Sequence, residues 1–288
     1  MDTLYKYCKS INNFIHLPTI KLAVPDFFND PFEIAVSKEI SDLLDNEEPE
    51  AIAFDMGMEI SKIGIVSLSE TSRNLLMWAH YADEHRGICI GFDSEVLSEL
   101  ELGNIHLERY HSLSPVKVNY DNLRVDIKEL LKDQDFIYEN SILKMLTTKS
   151  DEWIYEKEHR CIVPIGWSDI AYSKGRNIKV KAAIEKYFSD STYICEQSDE
   201  IITTQKEVVF EELTPYPGMV FLKKINPLSV KSIYLGCKYN ENEAMAIANT
   251  LKNPTHPLHH IELYKYRLSK TRFELEEQLL HPSIPIRL

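Results

Sequence analysis

A strand–helix–strand pattern near the end of the chain constrains the fold more than any other feature of the sequence. Ser229–Cys237 and His260–Leu268 have strand patterns, and Asn240–Lys252 between them has the pattern of a helix that begins at a capping asparagine. Such a unit is typical of a sheet with a helix packed against it. Together with the strand and helix patterns upstream, it predicts an α+β fold.

A second well-delimited helix is predicted from Asn74 to His85. Asn74 is a favourable N-cap, and Gly87 is suited to end the helix. We expect the apolar residues Leu75, Leu76 and Ala79 to face the core. Further strand patterns occur at Thr19–Pro25, Lys62–Glu70, Ile88–Asp93 and Glu158–Ile165, and a further helical pattern covers residues 123–148.

The stretch from about residue 166 to 216 lacks a clean period. It is predicted to be an irregular excursion of loops with one helix, Lys181–Phe188. No segment has the composition of a flexible linker, and no repeat of solenoid period occurs. We therefore predict that residues 1–288 form a single domain.

The charge balance disfavours a non-specific nucleic-acid binder. The 288 residues include 32 Lys and Arg against 45 Asp and Glu, a formal net charge of −13, so the surface as a whole repels phosphate backbones and anionic lipids. The five cysteines form no CxxC pair, and no apolar stretch approaches the length of a membrane span. We expect a cytoplasmic protein with no membrane partner.

Two segments are rich in residues that carry chemistry. In Met77–Arg86, His80 and Glu84 share a helix face, but they lack a third ligand nearby, so no metal is expected. In Trp153–Arg160, Glu156 and Glu158 are predicted to share one face of a strand. Such a pair is typical of acid–base work, of cation binding or of a structural ion pair, for which Arg160 is the candidate partner.

The segment Phe27–Glu33, FFNDPFE, is predicted to be a structural clasp. Asn29 and Asp30 can bond neighbouring backbone amides, and Pro31 can fix the turn. The flanking phenylalanines are expected to insert into the core.

Several motifs occur together in a specific order along the chain. They are Tyr5–Tyr7, Phe28–Glu33, Ser67–Ser69, Met77–Tyr81 with Gly87, Trp153–Arg160 and Ile233–Gly236. As a set they resemble a bacterial and phage-associated domain of unknown function, the one numbered 2971. That resemblance spans nearly the whole chain and implies no biochemical activity.

The same motifs more weakly resemble the ADP-ribosyltransferase superfamily. The resemblance implies a split antiparallel or mixed sheet with flanking helices, and NAD as the substrate. It implies catalytic roles for Glu158 and Glu156, with Glu158 favoured for the contact to the sugar. The residues implied to bind the nucleotide are Tyr5, Lys6, Ser67, Ser69, Trp78, Tyr81 and Arg86. All of these except Trp78 are expected to converge on one cleft with the two glutamates. The alternative for Trp78 and Tyr81 is that both are aromatic residues of the core.

Three functions are consistent with these observations. The first is an NAD- or nucleotide-using ADP-ribosyltransferase-like enzyme that modifies a protein or nucleic acid, as a toxin or anti-phage effector. The alternative is a non-catalytic module that binds a nucleotide or peptide. The third is a nuclease that binds Mg²⁺ through Asp151, Glu156 and Glu158, which the negative charge disfavours.

Overall fold

A computed structural model describes residues 3–11, 13–45, 47–175 and 177–283 of the protein. Within these ranges the strands are, in chain order, β1 (Thr3–Cys8), β2 (Thr19–Leu22), β3 (Ile63–Ser69), β4 (Ile88–Asp93), β5 (Ser112–Lys117), β6 (Asn119–Tyr120), β7 (Thr148–Lys149), β8 (Glu158–Pro164), β9 (Ile170–Ser173), β10 (Thr192–Ile194), β11 (Ile201–Thr203), β12 (Met219–Lys224), β13 (Val230–Leu235), β14 (Glu262–Leu268) and β15 (Leu275–His281).

Helices lie in several of the connections between these strands. The α-helices are α1 (Lys38–Leu44), α2 (Pro49–Ser61), α3 (Leu75–Tyr81), α4 (Ile127–Leu130), α5 (Ile137–Thr147), α6 (Ile178–Tyr187), α7 (Lys206–Glu212) and α8 (Glu241–Leu251). Short 3₁₀ turns cover Pro25–Phe27, Gln134–Phe136, Asp151–Glu156, Ile165–Trp167 and Pro227–Ser229. None of the helices in the described ranges is long and apolar enough to cross a membrane.

The central sheet has eight strands in the order β15-β14-β13-β4-β1-β3-β8-β5. Strands β13 and β14 pair in parallel, from Ser232 with Glu262 to Leu235 with Lys265, and α8 connects them. The Asn240 side chain accepts hydrogen bonds from the first turn of α8 at 2.9 and 3.1 Å. The predicted strand–helix–strand unit is therefore confirmed, and the fold is α+β with a large mixed sheet.

One face of the central sheet carries an aliphatic core. Alternate residues of its strands, such as Leu4, Leu68 and Cys161, point into this core. A second sheet, β2-β12-β9, and the helices α6, α7 and α8 pack against the same core.

The opposite face is divided into two smaller apolar clusters. Near Ile63 and Ile65 of β3, helices α1, α2 and α5 form an aliphatic cluster, and near Tyr7 of β1, helix α3 completes an aromatic cluster. Along β3 the same face continues from these isoleucines to Ser67 and Ser69. The polar residues of the face thus lie between two apolar clusters.

Helix α3 turns a different side to the core than expected. Leu75 and Leu76 are exposed, Leu76 by 48%, whereas Met77 and Trp78 are buried. The prediction of inward-facing leucines was wrong. The helix instead buries Trp78 in the aromatic cluster, where the centre of its ring lies 5.3 Å from that of Tyr7 in an edge-on arrangement.

The chain leaves α3 through an unusual left-handed turn. Asp83, Glu84 and His85 all have positive φ, between 47 and 72°. The prediction that the helix continues to His85 and ends at Gly87 was wrong, because α3 ends at Tyr81 and this turn follows it. A Cβ atom at Gly87 would lie 2.3 Å from the carbonyl oxygen of Cys8. A glycine is therefore required for the close approach of this turn to β1.

Two other segments also differ from expectation. The excursion after Gly166 is more regular than predicted, since β9 joins the second sheet and α6, α7 and a β10–β11 hairpin follow. In the FFNDPFE segment the turn is as predicted, with Asp30 Oδ1 accepting from the Phe32 amide at 2.9 Å. However, Phe27 and Phe32 are exposed, Phe32 by 64%, so the predicted insertion of all three rings into the core was wrong.

Candidate functional site

The site begins where the chain enters β8. Lys157 has a left-handed conformation, with φ of 47°, between the 3₁₀ turn Asp151–Glu156 and the strand. This reversal places Glu156 and Glu158 side by side inside the protein, with exposures of 3 and 5%. Arg160, two residues along β8, shares the face of Glu158 because strand residues alternate.

Arg160 is fully buried and satisfied by two carboxylates. Its Nε and Nη2 donate to the two oxygens of Glu158 at 2.8 and 2.9 Å, and Nη2 also binds Glu33. Its Nη1 donates to the carbonyl oxygen of Leu146 at 2.8 Å, and the ring of Phe28 lies 5.2 Å from the guanidinium. This bidentate geometry is the strongest form of arginine–carboxylate pairing.

Lys149 supplies the second buried cation. Its Nζ lies 2.8 Å from Glu156, 3.1 Å from Glu33 and 3.6 Å from Glu158. The ring of Trp153 covers the ammonium at 4.6 Å. We call Glu33, Lys149, Glu156, Glu158 and Arg160 the charge cluster. It combines three carboxylates with two cations and so carries a formal charge of −1.

Tyr81 connects the charge cluster to helix α3. Its hydroxyl donates to Glu156 Oε1 at 2.5 Å. Burial and the neighbouring Glu156 both raise the pKa of Tyr81 above its usual value. Tyr81 is therefore a protonated hydrogen-bond donor at neutral pH.

The two glutamates of the β8 entry differ in acidity. Burial tends to raise the pKa of Glu158, but Arg160 and Lys149 oppose it more strongly and lower that pKa to about 2. For Glu156, burial dominates over Lys149 and raises the pKa above its usual value. Glu158 is thus a permanent ion-pair partner, whereas Glu156 is the carboxyl that protonates more readily.

Three of the predicted nucleotide-binding residues line up beside the charge cluster. Tyr5 pairs with Ser69 across β1 and β3, and Ser69 pairs with Glu158 across β3 and β8. The Ser69 hydroxyl donates to the Glu156 carbonyl oxygen at 2.7 Å, and Ser67 pairs with Arg160 across β3 and β8. With Tyr81, these residues and both glutamates occupy one region of one face.

Three other predicted residues lie apart from that region. Lys6 alternates with Tyr5 and so projects from the opposite face, where its Nζ donates to the Ser67 carbonyl oxygen at 3.2 Å. Trp78 is completely buried, and its indole N–H donates to the Ser72 carbonyl oxygen at 2.8 Å. Arg86 is exposed and pairs with Glu84 at 3.0 Å. The expected convergence of all eight residues on one cleft was therefore wrong for Lys6 and Arg86, because strand alternation and the left-handed turn direct them elsewhere.

Two members of the charge cluster were missed from the sequence. Glu33 ends the FFNDPFE segment, and Lys149 is the last residue of β7, which directly follows α5. The sequence feature that could have indicated a buried role for Glu33 is the number of polar residues among the phenylalanines of that segment. Lys149 gave no local signal, since a single lysine after a helix is ordinarily exposed.

A cavity of ≈ 200 Å³ borders the charge cluster at Glu33 and Lys149. Its wall also contains Asp30 and Phe32 from the FFNDPFE segment, and Arg124 from the segment after β6. The Arg124 guanidinium lies 6.0 Å from the centre of the Phe32 ring and donates to the Phe32 carbonyl oxygen at 3.2 Å. The cavity therefore places a cation and an aromatic ring side by side.

The three carboxylates that the nuclease hypothesis assigns to Mg²⁺ form ion pairs or hydrogen bonds with other side chains of the protein. Glu156 and Glu158 bind Lys149 and Arg160, and Asp151 accepts a hydrogen bond from the Asn122 amide at 3.0 Å. Among the described residues, no group of three or more His, Cys, Asp or Glu has a geometry that could hold a metal ion.

Comparison with known families agrees with one of the two resemblances. Residues 77–161 match a family described as "Protein of unknown function (DUF2971)". The resemblance to DUF2971 is confirmed over this part of the chain. The matched part contains Lys149, Glu156, Glu158 and Arg160 of the charge cluster and ends one residue after the last of them, whereas Glu33 lies outside it. No curated protein and no solved structure matches the chain.

Proposed function

We propose that this protein binds a nucleotide, NAD or a relative of it, in the cavity beside the charge cluster. The observation that carries the proposal is the pairing of the Arg124 guanidinium with the Phe32 ring in the cavity wall. A guanidinium recognises phosphate oxygens, and an aromatic ring stacks on a nucleobase. These are the two chemical features that every nucleotide presents.

The size and polarity of the cavity also support this proposal. At ≈ 200 Å³ it is smaller than typical ligand pockets, so it suits one heteroaromatic ring, with the phosphates at the rim near Arg124. Val125 and Met145 provide apolar contacts, while Asp30 and Asn122 provide polar ones. A binding role requires no change in the charge cluster, which then acts as a rigid support for one wall.

ADP-ribosyl transfer or NAD hydrolysis is the second candidate, and Glu156 favours it. Cleavage of an N-glycosidic bond passes through an oxocarbenium-like state, which a carboxylate hydrogen-bonded to a sugar hydroxyl stabilises. Glu158 is held by two hydrogen bonds from Arg160, whereas Glu156 has the raised pKa and the Tyr81 contact. In this second candidate we therefore assign the reactive role to Glu156.

With this second candidate we also propose an ADP-ribosyltransferase-like core, a macromolecular acceptor and a biological role. Strands β1 and β3 pair through Tyr5 and Ser69 alone, which suits the split sheet of an ADP-ribosyltransferase-like core. The acceptor would be a protein or nucleic acid, and the biological role that of a toxin or anti-phage effector. These assignments rest on the resemblance in the sequence motifs, which is an argument by analogy.

Calorimetry with NAD, ADP-ribose and AMP tests the binding proposal. Phe32→Ala should weaken binding of the ligand roughly 5- to 150-fold, since stacking on an aromatic side chain contributes about 1–3 kcal/mol per base. The matched control is Phe54→Ala, which removes an equally exposed ring from α2, on another element of the protein. If none of the three ligands binds, or if both variants behave alike, the proposal is wrong.

A nicotinamide-release assay separates the two candidates. Incubation with NAD, with and without protein or nucleic-acid acceptors, should release nicotinamide if the protein is an enzyme. Glu156→Gln should then reduce turnover by about 10²–10⁴-fold with little change in NAD affinity. Binding of NAD without release of nicotinamide would identify a non-catalytic module.

A further inference from the structure

Asp30 lies in the wall of the cavity and is a buried carboxylate with one oxygen that has no hydrogen-bond partner among the described residues. The residue is 4% exposed, and its Oδ1 accepts from the Phe32 amide at 2.9 Å. Its Oδ2 is buried and has no hydrogen-bond partner in the described part of the chain. Asp30 therefore differs from Glu33, Glu156 and Glu158, each of which binds a cation.

An unused carboxylate oxygen at a ligand cavity determines which ligands are favourable. A buried acceptor left without a donor costs about 1–3 kcal/mol, and more when it is charged. A ligand group that donates N–H, or that carries positive charge, relieves this cost. A ligand group that presents only acceptor atoms or a negative charge increases it.

We propose that Asp30 selects the ring that enters the cavity, by accepting a hydrogen bond from an exocyclic amino or carboxamide N–H₂ of the ligand. This inference rests on the proposed nucleotide binding and names its specificity. The Phe32 ring then stacks on the same heteroaromatic ring, and Arg124 holds the phosphate at the rim. The favoured rings are adenine and nicotinamide, and the disfavoured ones are their relatives without the N–H₂ group.

Two pairs of nucleotides that differ only at this group test the proposal by calorimetry. The first pair is AMP and purine riboside 5′-monophosphate, which lacks the amino group. The second pair is NAD and deamido-NAD, in which a carboxylate replaces the carboxamide. We expect the protein to bind the N–H₂ member of at least one pair roughly 10- to 100-fold more tightly, as for a buried hydrogen bond to a charged group.

The variant Asp30→Asn identifies the residue responsible. Asparagine retains an Oδ1 acceptor for the Phe32 amide, so the turn is preserved, and thermal unfolding checks that it is. The affinity ratio within the discriminating pair should fall towards one, because a neutral amide offers a weaker acceptor and can also present its own N–H₂. The control Asp26→Asn makes the same change in an exposed residue of the preceding turn, outside the cavity wall, and should keep the ratio of the unmodified protein.

The outcomes separate this inference from the proposed function. If no nucleotide binds, both fail together. If nucleotides bind but both ratios are near one, or if the ratio persists in Asp30→Asn, nucleotide binding stands and the role of Asp30 is refuted. A ratio that collapses in Asp30→Asn and not in Asp26→Asn supports the inference.

Discussion

The two faces of the central sheet are formed by the same strands but bury different kinds of side chain. Neighbouring residues of one strand alternate between them, so that Leu4 enters the aliphatic core while Tyr5 lies on the face of the charge cluster. The same alternation separates Leu68 from Ser69, and Cys161 from Arg160. One face is closed mainly by apolar packing, although Lys6 also lies on it. The other encloses five charged side chains between two apolar clusters.

This difference identifies where function is expected. Apolar burial stabilises a fold in proportion to the area removed from water. Buried ion pairs lose most of their Coulombic gain to desolvation, and apolar residues of similar volume often stabilise a protein equally well. Stability alone therefore does not require a charge cluster at this place, and the cavity beside it makes this region of the protein the best candidate for function.

The largest expected effect follows from removing a buried cation. Arg160→Met leaves Glu33 and Glu158 buried without their arginine and should lower the free energy of unfolding by about 3–5 kcal/mol. Urea unfolding at pH 7 measures this effect. The control Lys231→Met removes an exposed lysine paired with Asp93 at 3.0 Å and should cost no more than about 1 kcal/mol. Equal costs for the two variants would mean that the charge cluster is effectively solvated.

An effect of similar size is expected on the aliphatic face. Leu4→Ala removes a buried side chain from the same strand as Tyr5 and should cost about 2–5 kcal/mol. Unlike the cost of Arg160→Met, this cost should hardly change with pH. Urea unfolding at pH 7 and pH 4 measures both variants, and a strong pH dependence for Leu4→Ala would contradict the proposed separation of the two faces.

The pH dependence of stability distinguishes Glu158 from Glu156. Because the pKa of Glu158 is about 2 in the folded protein and 4.5 for a free side chain, its contribution is complete above pH 4.5. It is lost as the pH falls from about 4.5 to about 2, and amounts to about 3 kcal/mol. In Glu158→Gln, the free energy of unfolding should therefore fall less between pH 4.5 and pH 2 than in the unmodified protein. Urea unfolding across this acid range measures the difference.

Glu156→Gln should have the opposite consequence. A raised pKa means that the folded protein binds this proton more tightly than the unfolded chain, so ionisation of Glu156 lowers stability as the pH rises through the usual range of a glutamate. The variant should leave the fall in stability that is due to Glu158 between pH 4.5 and pH 2 intact. If Glu156→Gln, and not Glu158→Gln, removes that fall, the assignment of the two carboxylates is reversed.

Local patterns predicted the elements of the sheet and part of the charge cluster. The strand–helix–strand unit is visible because its pattern and its asparagine cap are contiguous in sequence. The pairing of Glu158 with Arg160 could also be predicted from a local pattern, because residues two apart on a strand share a face. The left-handed Lys157 that brings Glu156 beside them has no such pattern.

Contacts between distant segments could not be predicted in this way. Glu33 binds Arg160 across 127 residues of sequence, and only the folded chain brings them together. Lys149 is buried because three carboxylates surround it, and no one of them determines its position. The cavity depends on the same long-range contacts, so the sequence predicted the turn-forming role of Asp30 but neither the cavity nor the place of Asp30 in its wall.

The smallest expected effect tests the orientation of helix α3, which the sequence alone predicted wrongly. Leu76 is 48% exposed, so Leu76→Ala removes few buried contacts and places a better helix former in the helix. The change in the free energy of unfolding should stay within about 0.5 kcal/mol, as for other surface substitutions. Met77→Ala, one residue further, truncates a buried side chain of the aromatic cluster and should cost about 2–5 kcal/mol. Urea unfolding of the two variants compares adjacent positions of one helix. If Leu76→Ala were the more costly, α3 would be rotated, Trp78 and Tyr81 would leave their present neighbours, and the Tyr81 contact to Glu156 could not form.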